Sequence, residues 1–235
     1  MMRPGIGNRE SGMGTTRRHR ANGIARLAAG GLLALGLAGC SILGGGERER
    51  STIYAPDPRV AIDPSTPAVS WQLSLSPPSG ARAIDSFRIA VRPTPDELQV
   101  YRGANWAKTP TDMLQDALLR ALEDSGKIAS VARQGAGITA DYKLVVDLRR
   151  FEADYAGSTV PAATIEFNAK LVHTIDQGIV ASRTFQRAQP ASGTDVALVV
   201  DAFSRSLEAI TAELANWILI AGDAHQREAH PDVRR

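Results

Sequence analysis

The chain has 235 residues, with 27 Lys and Arg against 25 Asp and Glu, a formal net charge of +2, and 5% aromatic residues. There is no basic stripe interleaved with aromatics, which excludes a nucleic-acid surface as the organising feature. One cysteine excludes an internal disulfide, so a folded body must hold in an oxidising compartment through its core alone.

In chain order, the first feature is an apolar run, Ile24 to Leu37, preceded by the charged cluster Arg17-Arg18-His19-Arg20 and closed by Leu37-Ala38-Gly39-Cys40. This is the charged, apolar and small-residue succession of a secretory signal. Its last four residues resemble the lipobox of bacterial lipoproteins, whose cysteine takes the lipid, which makes Cys40 the expected lipidation site. The alternative is a transmembrane anchor with a free thiol. The run is shorter than the roughly 20 apolar residues a spanning helix needs, and it holds Arg26.

Residues 1–39 are therefore expected to be a signal peptide and 40–70 a tether, part of which can still pack on the body. The tether is expected from Gly44-Gly45-Gly46, Glu47-Arg48-Glu49-Arg50 and Pro56, Pro58, Pro64 and Pro67. A folded body is expected over 71–221, and a charged, disordered tail over 222–235.

Within the body, Trp71–Leu75 and Phe87–Val91 alternate as strands. Leu98–Tyr101 is a short extended piece, and Arg102–Trp106 is expected to be a loop. Thr109 caps a helix whose first position is Pro110, with Asp112 in its first turn and Gly126 as terminator. Lys127–Arg133 is a further strand. In Tyr142–Leu148 and Thr164–His173 the apolar residues fall on one face, which predicts an antiparallel sheet with a wet side. Asp176-Gln177-Gly178 turns the chain into Ile179–Gln186. A long helix follows, capped by Thr194 or Asp195. Its stripe Val196, Val200, Phe203, Leu207, Ile210, Leu214, Trp217 suits core packing or a coiled-coil seam. Two amphipathic helices on one face of an antiparallel sheet give an α+β two-layer fold.

No phosphate loop, HExxH, Cys/His cluster or Gly-x-Ser-x-Gly elbow is present, so no cofactor, metal or catalytic site is expected. Of the histidines, only His173 falls in the body. Glu152 and Asp154, beside Tyr155, form a carboxylate pair that suits acid–base work or a solvated strand edge.

Several segments, in order, resemble the ABC-type transport auxiliary lipoprotein family, PqiC-like periplasmic partners of Mce-type lipid transport systems. They are Phe87–Pro93, Val100-Tyr101-Arg102 with Asn105-Trp106 and Pro110, and Met113-Leu114 with Leu118 and Ala121-Leu122-Glu123. Asp141–Leu144 with Leu148 and Phe151-Glu152, Ala181–Phe185, and Ala202-Phe203 with Trp217 complete the series. The resemblance implies a fold similar to the N-terminal domain of TolB and no catalysis. It implies work beside an ABC permease, its ATPase and an Mce-domain protein. Ser41, in place of an aspartate after the lipidated cysteine, implies the periplasmic face of the outer membrane. A lipoprotein of similar fold that assists cell-wall synthesis or envelope assembly is the alternative. The family supplies no residue-level site. Tyr101, Arg102, Asn105 and Trp106 are residue types that anchor interfaces. Trp106 equally suits a plug between sheet and first helix, in which case the partner surface moves to the wet face with Lys143, Glu166, Asn168 and Lys170.

Overall fold

A computed structural model describes residues 51–229. The strands are β1 (Thr52–Tyr54), β2 (Val69–Leu75), β3 (Ser79–Gly80), β4 (Arg88–Arg92) and β5 (Gln99–Trp106). Helix α1 (Pro110–Ser125) precedes β6 (Ile128–Arg133), β7 (Tyr142–Asp154), β8 (Ala162–His173) and β9 (Ile179–Pro190), and helix α2 (Val196–Ala229) ends the series.

Strand β7 is the axis of the sheet. One edge pairs antiparallel with β8 from Tyr142↔His173 to Asp154↔Ala162, and β8 pairs antiparallel with β9. Three strands share the other edge of β7 in turn: β2 at Tyr142–Leu144, β3 at Asp147–Leu148 and β4 at Ala153–Asp154, all parallel. The sheet therefore splits, with β2 carrying β6 and β4 carrying β5 and β1. The fold is α+β as expected, and its sheet is mixed rather than wholly antiparallel. A period of two reports which face is wet; it is the same for parallel and antiparallel neighbours, so it carried no strand direction.

A register shift between Leu148 and Arg150 inserts one extra residue into β7. Before it, Leu144, Val146 and Leu148 face the helices; after it, Phe151 and Ala153 do. The bulge thus keeps Phe151 in the core, stacked on Phe203 at 4.9 Å.

Both helices cover that same face. Thr109 caps α1, accepting from the Asp112 N–H at 3.4 Å, and Gly126 ends it in the left-handed region at φ 61°. Leu114 and Leu118 of α1 and Leu214 of α2 converge on Leu75, Leu144 and Val146. Each such side chain contributes about 1.5–3 kcal/mol by leaving water. The stripe on α2 is core packing: Phe203, Leu207, Ile210 and Leu214 are buried.

Two boundaries differ from expectation. Residues 51–70 belong to the body rather than to the tether. β1 pairs with β5, Lys127 Nζ donates to the Pro64 and Thr66 carbonyls at 3.0 and 2.6 Å, and Asn216 Oδ1 accepts from Asp63 N and Thr66 Oγ1 at 3.1 and 2.7 Å. The expected tail is helical as far as Ala229.

Candidate functional site

The segment expected to be a loop is strand β5. Its pairing with β4 jumps from Ala90↔Val100 to Arg88↔Asn105, so residues 101–104 bulge out, with Gly103 at φ 62°. Trp106 is 2% exposed and meets Phe203 and Phe151 edge-on at 5.3 and 5.9 Å. It plugs the space between sheet and helices and is removed from the set of partner-binding residues. Arg102 is exposed, whereas Tyr101 and Asn105 are half-buried. Asn105 Nδ2 donates to Ser51 Oγ at 2.5 Å. Burial first, then the neighbouring Tyr155 hydroxyl, pushes the Tyr101 phenol up to about 12. The four residues point to different environments and form no single patch.

The carboxylate pair is a clamp. Glu152 is fully buried and accepts from Arg92 Nε and Nη2 at 2.8 and 3.0 Å and from Arg150 Nε at 2.7 Å. Arg150 also holds Asp154, and Arg92 Nη1 donates to the Pro95 carbonyl at 2.8 Å. The hydrogen bond Arg92 donates to Glu152 raises the Arg92 pKa. For Arg150, burial acts downward but is outweighed by Asp154 and Glu152. Both oxygens of Glu152 are committed to guanidinium donors, a fork that suits fixing β4 to β7 rather than moving a proton.

The same sheet face, opposite the helices, is open and polar. Glu166 lies 3.8 Å from Arg149 Nη1, Asn168 Nδ2 donates to Thr184 Oγ1 at 3.1 Å, and Lys170 is exposed. Lys143 shares this face at half exposure.

At the other end of β7, Tyr142 OH sits 2.9 Å from His225 Nδ1 and donates to Gln226 Oε1 at 3.2 Å. His173 is 6% exposed, with Nδ1 3.0 Å from Asp176 Oδ1, and its ring lies 5.1 Å from that of His225. His225 is thus part of an aromatic cluster on α2. It shows no signal in sequence because its partners lie far away along the chain.

A cleft of about 600 Å³ lies between residues 55–58 and α1. Asp116 accepts from Lys108 at 2.5 Å and from Arg133, and Arg120 pairs with Asp57. Its residues come from separate stretches, and those the sequence drew attention to, Pro56, Pro58 and Met113, carried no signal of a cleft. Cys40 lies outside the described residues. Among the described residues, no helix is long and apolar enough to cross a membrane.

The split sheet with both helices on one face and a polar face opposite defines an α+β body. The chain belongs to the family of ABC-type transport auxiliary lipoprotein components, which it matches over residues 52–215. It is similar to the crystal structure of protein XCC0632 from Xanthomonas campestris, with 59% identity and a TM-score of 0.73, covering 75% of this chain and 99% of that one. A second crystal structure, of an uncharacterized protein, shares the fold at 15% identity and TM-score 0.57, over 72% of this chain and 99% of the other. The uncharacterized protein bll6063 of Bradyrhizobium diazoefficiens is 25% identical over 178 residues. The match takes in 76% of this chain, which spans about half, 47%, of the length of that curated relative.

Proposed function

We propose that the protein is a non-catalytic, lipid-anchored periplasmic component of an ABC-type, Mce-linked lipid transport system, held at the outer membrane through Cys40. The observation that carries this reading is the family match, which spans nearly the whole described body. The lipobox-like Leu37–Cys40 stretch supports the anchor.

The first described strand starts at Thr52, and a chain of that length from Cys40 reaches at most ~40 Å. That short leash confines the body near the bilayer and raises its effective concentration for a partner at the same membrane. One acyl chain holds only marginally, at roughly 0.8 kcal/mol per buried CH₂, so stable attachment takes the several chains of a mature lipoprotein. The open face with Lys143, Glu166, Asn168 and Lys170 supplies charges of both signs for docking an Mce-domain protein that reaches the outer membrane.

Two measurements test this. Cys40→Ser should move the protein from the membrane to the soluble periplasmic fraction; unchanged membrane fractionation would refute the anchor. Affinity purification of the lipidated chain, with partners identified by mass spectrometry, should recover an Mce-domain protein or its permease. Recovery of cell-wall synthases alone would refute the transport assignment.

A further inference from the structure

The cleft between residues 55–58 and α1 plays no part in the docking just described, and its chemistry is of a different kind. Its volume, about 600 Å³, falls within the ~300–1,000 Å³ usual for small-ligand sites. One wall carries Pro56 and Pro58, whose rings fix the backbone, so the wall is stiff before any ligand arrives. The other carries Met113 and Leu119 of α1, with the adaptable thioether lining the cavity.

Charge sits at the rim. Lys108, Arg120 and Arg133 line the cleft with the carboxylates Asp57 and Asp116; beside it Arg59 acts on Asp57 and Asp124 on Arg120, which leaves one positive charge in surplus. Asp116 engages Lys108 and Arg133 together, so either cation can turn to an incoming anion without leaving that carboxylate unpaired. Asp57 and Arg120 form a solvent-exposed pair that contributes little by itself.

A small hydrated anion would leave the apolar walls unused. A neutral hydrocarbon would leave the cations unused, and a polyanion would need more than one surplus charge. We propose that this cleft binds a single-chain amphiphile bearing one anionic group, with the acid taken by Lys108 or Arg133 while the other keeps Asp116 paired, and the chain along Met113 and Leu119. The acid is a carboxylate, as in a free fatty acid, or a phosphate, as in a lysophospholipid. This site stands whether or not the transport partners proposed above are correct.

The test uses the full chain in nanodiscs of neutral phosphatidylcholine and a palmitate carrying a diazirine on its chain. Crosslinked peptides are located by mass spectrometry. Label should concentrate on residues 55–58 and on α1. Leu119→Trp, which fills the cleft without altering charge, should lower it about tenfold, equivalent to about 1.4 kcal/mol. Lys108→Gln/Arg133→Gln, at surface positions that leave the core intact, should do the same, with far-ultraviolet circular dichroism unchanged. Stronger competition by oleate than by lysophosphatidylglycerol identifies a carboxylate site; the reverse order identifies a phosphate site. Label scattered over the surface and indifferent to Leu119→Trp would overturn the proposal. So would equal competition by a neutral monoacylglycerol, or competition by an acidic peptide and by neither lipid.

Discussion

Trp71 packs its ring against the backbone of α2 at Gly222, where an added Cβ would come within 2.3 Å of Trp71 Cζ2. The ring is 4% exposed and held edge-on by Tyr142 at 4.8 Å, so it has nowhere to retreat. On an open helix surface, alanine would be favoured over glycine by ~1 kcal/mol. Here the sign reverses. Gly222→Ala should destabilise the body by about 1–3 kcal/mol, the usual cost of overpacking. Trp71→Leu in the same chain should absorb most of that loss. Urea denaturation followed by circular dichroism measures both, and a Gly222→Ala protein at least as stable as the parent would show that the contact yields.

Arg92 and Glu152 give a second prediction. Breaking a buried pair by removing one partner typically costs ~3–5 kcal/mol. Arg92→Ala should fall at the low end, because Arg150 still donates to Glu152 and the Arg92 side chain is 25% exposed. Replacing both partners, Arg92→Met/Glu152→Leu, should cost less than Arg92→Ala alone, since no buried charge is orphaned. A double variant less stable than the single would mean that the clamp stabilises the body on balance. Chemical denaturation of the three proteins decides it.

What the sequence revealed follows the range of the interactions involved. The α1 caps were legible because Thr109, Pro110 and Gly126 act within one turn of the helix they bound. The faces of β7 and β8 were legible because alternation is a local property. Trp106 was legible only as two alternatives, an interface anchor or a plug between sheet and first helix, and Phe151 and Phe203, brought to it from elsewhere, decide for the plug. Residues 51–70 read as tether because prolines and a three-residue strand carry little pattern of their own. Lys127 and Asn216, which fasten them, are supplied by the fold. Gly222 fell at the start of the expected charged tail; in the folded chain it lies inside α2, where its missing Cβ makes room for Trp71. The Arg92–Glu152 clamp and the cleft are assemblies of distant residues, invisible before the chain is folded.

Alkaline titration separates the tyrosines. Burial, and then Asp141, pushes the Tyr142 phenol up to about 12, matching Tyr101. A phenol whose native pKa is raised contributes stability that is intact below the ordinary value of 10.0 and is lost as pH rises towards the native one. Tyrosinate absorbance should therefore show Tyr101 and Tyr142 ionising late, together with a fall in stability between pH ~10 and 12. Tyr142→Phe should flatten part of that fall. Ionisation of every tyrosine near 10 in the folded protein would show that these phenols are not desolvated.

Acid provides the complementary test, at Asp116. Burial acts to raise the pKa of this carboxyl, but the hydrogen bonds from Lys108 and Arg133 outweigh it and hold the carboxyl below the ordinary value of 3.8. The native state thus favours the carboxylate more than the unfolded chain does. The stabilisation is complete above the ordinary carboxyl range and disappears as pH falls through the lowered native value. Asp116→Asn should lower stability at neutral pH by an amount on the order of 1 kcal/mol, since the pair is partly exposed. Its effect should shrink as pH falls through the lowered native value, below which the parent carboxyl is protonated as well. Urea midpoints measured from neutral pH into this acid range should therefore converge for the two proteins. A constant offset across the whole range would mean that Asp116 acts through packing rather than through its charge.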